Sequence, residues 1–131
     1  MERNTRQRQA IVDVLADAPG PLSPREVLDR AKAKVSRLGM ATVYRTLASL
    51  VDAGDVTTVD VPGQPARYEP AGKGHHHHFH CTVCERLYEV DGCPGNLAGL
   101  APPGFSVTGH DLTLIGICRA CGGRRRSPPS P

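Results

Sequence analysis

Tryptophan is missing from this 131-residue chain, and two Phe and three Tyr are its only other large aromatics. The side chains that ordinarily bury the most area are therefore nearly absent. With 39% hydrophobic residues spread over one small domain or two very small ones, the apolar core is thin, and another tie is expected. An apolar run of about twenty residues is also lacking, which excludes a membrane-spanning helix. The first ten residues are polar and carry Arg3, Arg6 and Arg8 with no apolar stretch behind them, so no secretory leader is read and a cytoplasmic location is expected. Thiols stay reduced there, which turns the five Cys toward metal rather than disulfides. A net charge of +3 is too small to name a partner. Between positions 25 and 45, however, Arg25, Arg30, Lys32, Lys34, Arg37 and Arg45 stand against only Glu26 and Asp29. That stretch could face phosphates, but on charge alone a solvated helix face is the preferred reading.

The first seventy residues contain neither Cys nor His, whereas all five Cys, all six His and ten of the fourteen Gly come later. Two modules follow, 1–70 and 71–122, with Gln64 to Gly74 as the boundary and a Pro- and Arg-rich tail, 123–131, expected to be disordered. In the first module Ile11, Val14, Leu15 and Ala18 recur at helical spacing, with Asn4 or Thr5 as cap and Pro19-Gly20-Pro21 as stop. Ser23, Pro24 and Glu26 form a capping box for a second helix with Val27, Leu28 and Ala31 on its apolar face. A third helix runs from Met40 to Ala53, with Val43, Leu47, Leu50 and Val51 on one face and Gly54 as its stop. Strands from Val56 and over Ala66 to Glu69, joined by the turn Pro62 to Pro65, complete the module. The predicted fold class is α+β: an N-terminal winged helix-turn-helix followed by a small αβ domain. Thr42, Tyr44 and Arg45, near the start of the third helix, are the short polar and planar cationic groups that a groove-reading helix needs.

Cys81-x-x-Cys84 and Cys118-x-x-Cys121, separated by 33 residues, supply two thiolate knuckles. Together they make a closed tetrahedral shell suited to one structural Zn2+ per chain, and so the missing tie. The tract His75 to His78, followed by Phe79-His80-Cys81, leads straight into the first knuckle. On a strand over 75–80, alternation sends His76 and His78 to one face and His75 and His77 to the other, so one tract feeds two sites. Glu69, His76, His78 and Glu89 close a first shell of two nitrogens and two oxygens. Because Glu69 belongs to the first module, a cation there would clamp the modules into one orientation, which defines a switch. His75, His77 and His110, with Cys93, form a second candidate shell. Its residues come from the tract, from Cys93 before Pro94 and from strands over Phe105 to Thr108 and Asp111 to Ile117.

These motifs together resemble the ferric uptake regulator family, most closely its zinc-uptake branch. The residues that carry the likeness are Thr5-Arg6-Gln7-Arg8, Ala41 to Leu47, Arg67-Tyr68-Glu69, His75 to Cys84 and Cys118 to Cys121. The resemblance implies a winged helix joined to a dimerisation domain, and a homodimer that binds double-stranded DNA operators with palindromic half-sites when its regulatory metal is loaded. It implies DNA contacts from Tyr44 and Arg45 with help from Arg6 and Arg8, a hinge sensor at Glu69, His76, His78 and Glu89, and an additional site at His75, His77 and His110. Three departures stand out. Pro21 occupies a place where many members have a His ligand. Glu69-Pro70-Ala71 replaces a stretch where zinc sensors commonly have Cys. The Gly- and Pro-rich segment between Val90 and Phe105 leaves only about Asn96 to Leu100 for the helix the family implies there, and Asn96 falls near a usual carboxylate ligand, which Cys93 could replace. The function read from all this is a metal-dependent repressor of metal-uptake genes, with Zn2+ favoured over Fe2+ or Mn2+ as the sensed ion because the donors are soft. Iron- or peroxide-responsive regulation and a non-DNA-binding metal-trafficking role are the alternatives. An enzyme is not expected, since no metal-hydrolase motif supplies a general base, and neither a small-molecule substrate nor a membrane partner is implied.

Overall fold

A computed structural model describes residues 2–61, 63–95 and 97–122, with residues 2–4 described by their backbone alone. Pro62, Asn96 and the expected disordered tail therefore lie outside the described residues. The chain divides into two compact units, the first ending at Gly74 and the second beginning at His75.

The first unit opens with helix α1, Glu2–Asp17. Asn4 and Thr5 lie inside it rather than capping it, because the periodic apolar positions Ala10, Ile11, Val14 and Leu15 carry the helix and the polar start simply extends it. Helix α2, Pro24–Ala31, has the complete capping box: Glu26 N–H donates to Ser23 Oγ at 3.2 Å and Ser23 N–H donates to Glu26 Oε1 at 2.9 Å. Helix α3, Met40–Asp52, buries Val43, Leu47 and Leu50. It ends in a Schellman turn in which Gly54 N–H donates to the Val51 carbonyl and Asp55 N–H to the Leu50 carbonyl, each at 3.0 Å, with Gly54 at φ +81°. Strands β1, Val56–Val59, and β2, Arg67–Pro70, pair antiparallel from Val56 opposite Pro70 to Val59 opposite Arg67. The other edge of β2 is bridged by Leu22, whose N–H donates to Tyr68 O at 2.9 Å and whose carbonyl accepts from Tyr68 N–H at 2.8 Å. One apolar cluster, from Ile11 to Val56, fills the space between helices and hairpin. The buried Arg67 guanidinium reaches Glu26 Oε1 at 2.7 Å, so the α2 capping carboxylate also anchors β2.

The second unit is a three-stranded sheet in the order β4-β3-β5. The central strand β3, His77–Cys81, pairs antiparallel with β4, Leu87–Val90, and parallel with β5, Thr113–Gly116. Two expectations are corrected here. Residues 105–108 are not a strand: both neighbour positions of β3 are taken by β4 and β5, and the segment pairs with neither outer edge. In place of a helix over 96–100 there is a single 3-10 turn, Ala98–Leu100, because the surrounding Gly and Pro leave too few helix formers. Gly116 leaves room for the Phe79 ring: a Cβ there would lie 3.0 Å from its Cζ, and the ring would have to yield by a few tenths of an ångström. Helix α4, Arg119–Gly122, carries Cys121.

Candidate metal centres and nucleic-acid face

The β3–β4 turn is the first cysteine knuckle. Glu85 N–H donates to the Cys81 carbonyl at 2.9 Å and Cys81 N–H to the Arg86 carbonyl at 3.0 Å, with Glu85 in the left-handed region at φ 65°. The second knuckle is the start of α4, brought beside the first by the register of Cys81 opposite Gly116. All four Sγ atoms of Cys81, Cys84, Cys118 and Cys121 lie within 4.8 Å of one another, and Cys84 to Cys118 is 3.9 Å. Sulfurs on a tetrahedral Zn2+ with bonds of about 2.3 Å stand roughly 3.8 Å apart, so this donor set is compatible with structural zinc.

The electrostatics favour thiolate at Cys81 and Cys118. Burial opposes ionisation of Cys81, yet backbone N–H groups of Cys84, Cys118 and Val83, all 3.4 Å from its sulfur, outweigh burial and bring its pKa down to about 6. The Tyr88 hydroxyl lowers the Cys118 pKa, and the same contact together with burial raises that of Tyr88 itself. Burial, then hydrogen bonds with the sulfurs of Cys118, Cys81 and Cys84, push Cys121 up to about 12. Tyr88 was not singled out by the sequence. Its place on β4 opposite Phe79 is what aims it at the cluster, where it is an outer hydrogen-bond partner of the ligands.

The strand expected over 75–80 begins only at His77, with His75 and His76 leading into it, and the histidine tract still divides between two sides. His76 Nε2 is 3.9 Å from Glu89 Oε2, the His76 and His78 rings meet edge to face at 4.8 Å, and His78 stands opposite Glu89 in the β3–β4 register. Glu69, in the first unit, is buried, with Lys73 Nζ 3.8 Å from its Oε1. On the other side of the tract, His75 Nε2 is 3.3 Å from His110 Nε2, and Cys93 Sγ is 3.5 Å from His75 Nε2 and 3.4 Å from His110 Nε2. His77 stacks on His110 with ring centroids 4.9 Å apart. Burial, with His75 and His110 beside it, lowers the His77 pKa, which keeps the ring in the neutral form that ligates. Leu112 N–H donates to His77 Nδ1 at 3.2 Å, which places the neutral ring's proton on Nε2, a buried atom with no hydrogen-bond partner. To hold a cation, His77 must turn over or release Leu112. His80 joins neither cluster and pairs with Glu85 at 3.1 Å.

In the first unit, the polar side of α3 and the start of α1 bound a cleft of about 280 Å³ lined by Gln7, Arg8, Thr42, Arg45, Thr46 and Ser49. Arg8 Nη1 donates to Ser49 Oγ at 3.0 Å, and Arg45 Nη2 donates to Thr42 Oγ1 at 3.2 Å. Tyr44 is 52% exposed. Arg6 is exposed as well, and neither of the two lines the cleft. The basic stretch 25–45 is partly neutralised, Arg25 by Asp29 at 3.6 Å and Lys34 by Asp13 at 3.9 Å, so for these residues the solvated-face reading holds. Gln7, Thr46 and Ser49 were not among the expected contact residues. Their one signal is helical spacing beside Arg8 and Arg45.

The sequence profile described as the Ferric uptake regulator family matches residues 2–114. The "Ferric uptake regulation protein" of Campylobacter jejuni is 32% identical over 126 residues, covering 92% of this chain and 80% of that protein. The "Zinc uptake regulation protein" of Mycobacterium tuberculosis is 32% identical over 124 residues, covering 91% and 94%. The crystal structure of the Vibrio cholerae ferric uptake regulator superposes with a TM-score of 0.66 at 28% identity, covering 86% of this chain and 88% of that one.

Proposed function

The chain belongs to the ferric uptake regulator family, whose members are transcription regulators and not enzymes, and from that premise we propose that it is a zinc-responsive, DNA-binding repressor of metal-uptake genes. The observation that carries the reading is the two-sided histidine tract that leads into β3, which sets His76 and His78 beside Glu89 while His75 and His77 join Cys93 and His110. In this reading α1 to α3 and the β1–β2 hairpin act as a winged helix-turn-helix. Helix α3 enters the major groove with Thr42, Tyr44 and Arg45, and Arg6 and Arg8 hold phosphates. The four cysteines hold one structural Zn2+ per chain. The sensor is His76, His78 and Glu89, with Glu69 as the fourth ligand that the sequence implies. Strand β5 supports a homodimer: it is a sheet edge, with Leu114 51% and Ile115 72% exposed, and a second copy covers such an edge with twofold symmetry. Two copies match a palindromic operator in the cytoplasm. Sensing needs only a coupling of about 1 to 3 kcal/mol, roughly 5- to 150-fold in operator affinity.

A duplex library selected by the zinc-supplemented protein supplies the operator, whose binding is then measured against buffered Zn2+, Fe2+ and Mn2+. We expect zinc to tighten binding, and His76→Ala to lose roughly 5- to 150-fold of that response without loss of fold. Tightening by iron alone rejects zinc in favour of iron-responsive control, the second reading, which the iron-named relatives support. Metal binding with no duplex selected at all rejects the regulator reading.

A further inference from the structure

The geometry points to Cys93 as the thiolate that makes the His75, His77, Cys93 and His110 cluster a tetrahedral site selective for thiophilic cations, Zn2+ and its reporter Co2+, over Fe2+ and Mn2+. The distances carry the assignment. Around a tetrahedral ion with bonds of about 2.05 Å to imidazole and 2.3 Å to thiolate, two nitrogens stand roughly 3.3 Å apart and a nitrogen and a sulfur roughly 3.6 Å apart. The observed separations are 3.3 Å for His75 to His110 and 3.5 and 3.4 Å for Cys93 to each of them. The fourth member, His77, is 2% exposed, and its Nε2 has no hydrogen-bond partner, so a buried polar atom of the cluster lacks the partner that burial normally demands. All four candidate donor atoms lie within 4.8 Å of one another.

Cys93 is the only exposed cysteine, and a free thiol gains nothing from an exposed Gly- and Pro-rich loop. Iron and manganese sites are built from carboxylate, carbonyl and imidazole, whereas a sulfur donor moves preference toward zinc. The same bond explains how the long connection from β4 to β5 is held. It has one 3-10 turn and exposed Leu100 and Phe105, so a ligand near each end, Cys93 and His110, ties to the sheet a loop that hydrocarbon does not. The inference concerns this cluster alone and stands or falls separately from operator binding.

The test uses the full chain after mild chelation that leaves one Zn2+ per chain in the four-cysteine site, titrated with Co2+. Wild type is expected to develop a thiolate-to-cobalt charge-transfer band in the near ultraviolet together with intense tetrahedral visible bands, with the bound zinc retained. Cys93→Ser is expected to lose the near-ultraviolet band. Neither His76, His78 nor Glu89 can supply a sulfur, so cobalt on that side of β3 does not mimic it. Saturating Zn2+ should slow alkylation of Cys93 by iodoacetamide, mapped by mass spectrometry, more than roughly tenfold, and Cys93→Asp should weaken Zn2+ binding at least tenfold while affecting Mn2+ less. Identical cobalt spectra for wild type and Cys93→Ser, or equal alkylation of Cys93 with and without zinc, overturns the assignment. Alkylation reads wild type alone, so it decides the matter even where a variant misfolds. Operator binding measured on the same samples separates the two readings: a sulfur band without any metal effect on DNA leaves the site standing and sinks the repressor.

Discussion

The two units solve the same shortage by opposite means. In the first, Ile11, Val27, Val43 and Leu47 are fully buried in one apolar cluster, α2 starts in a full capping box and α3 ends in the Gly54 turn. In the second, the buried side chains among the described residues are His77, Cys81, Leu87 and Cys121, three of them candidate ligands. Hydrocarbon holds one unit and donor atoms hold the other. With zinc in the four-cysteine site as proposed, the stability of the second unit would be set by metal, while its neighbour in the chain would keep a fold that metal does not control.

The sharpest way to break the comparison is Cys81→Ser in the full chain. The apparent contribution of a structural zinc is roughly 10 to 16 kcal/mol, so the second unit is expected to lose hydrogen-exchange protection across β3 to β5. The helical circular dichroism of α1 to α3 should persist, and collapse of both would show that the units do not differ as described. Next comes Leu47→Ala, which opens a cavity in the apolar cluster and should cost roughly 2 to 5 kcal/mol in denaturant unfolding of the first unit, with zinc content unchanged. Ser23→Ala removes one half of the capping box and should cost about 1 kcal/mol in the same measurement. The smallest effect is expected of Glu85→Gly. A non-glycine residue in the left-handed region costs roughly 1 to 2 kcal/mol, and the half-exposed His80–Glu85 pair returns at most about 1, so the variant should resist thermal unfolding slightly better. A clear loss would mean that this pair orders the knuckle.

Local chemistry was legible in the sequence and non-local pairing was not. The Ser23–Glu26 box, the Gly54 stop and the cysteine knuckles are each specified within a few residues, and each is found as read. The period-2 split of the histidine tract was legible for the same reason, since alternation is a property of one strand. Phe105 to Thr108 alternates too, but a strand needs a neighbour, and nothing in those residues says that β3 already has two. The parallel pairing of β5 was equally hidden, because alternation carries no direction. Tyr88 reaches the sulfurs only through the β3–β4 register, and Gln7, Thr46 and Ser49 meet Arg8 and Arg45 only once α1 packs on α3.

Four identical letters in a row, His75 to His78, contain no mark of phase. Were the strand to slide by one position, imidazoles would still point both ways, and the mistake would pass unnoticed by nitrogen chemistry. What punctuates the tract is the text after it: the Phe79 ring lies over the bare Gly116, and Cys81 meets its fellow sulfurs in this setting. The zinc knuckle thus doubles as the ruler by which a homopolymer is spelled correctly.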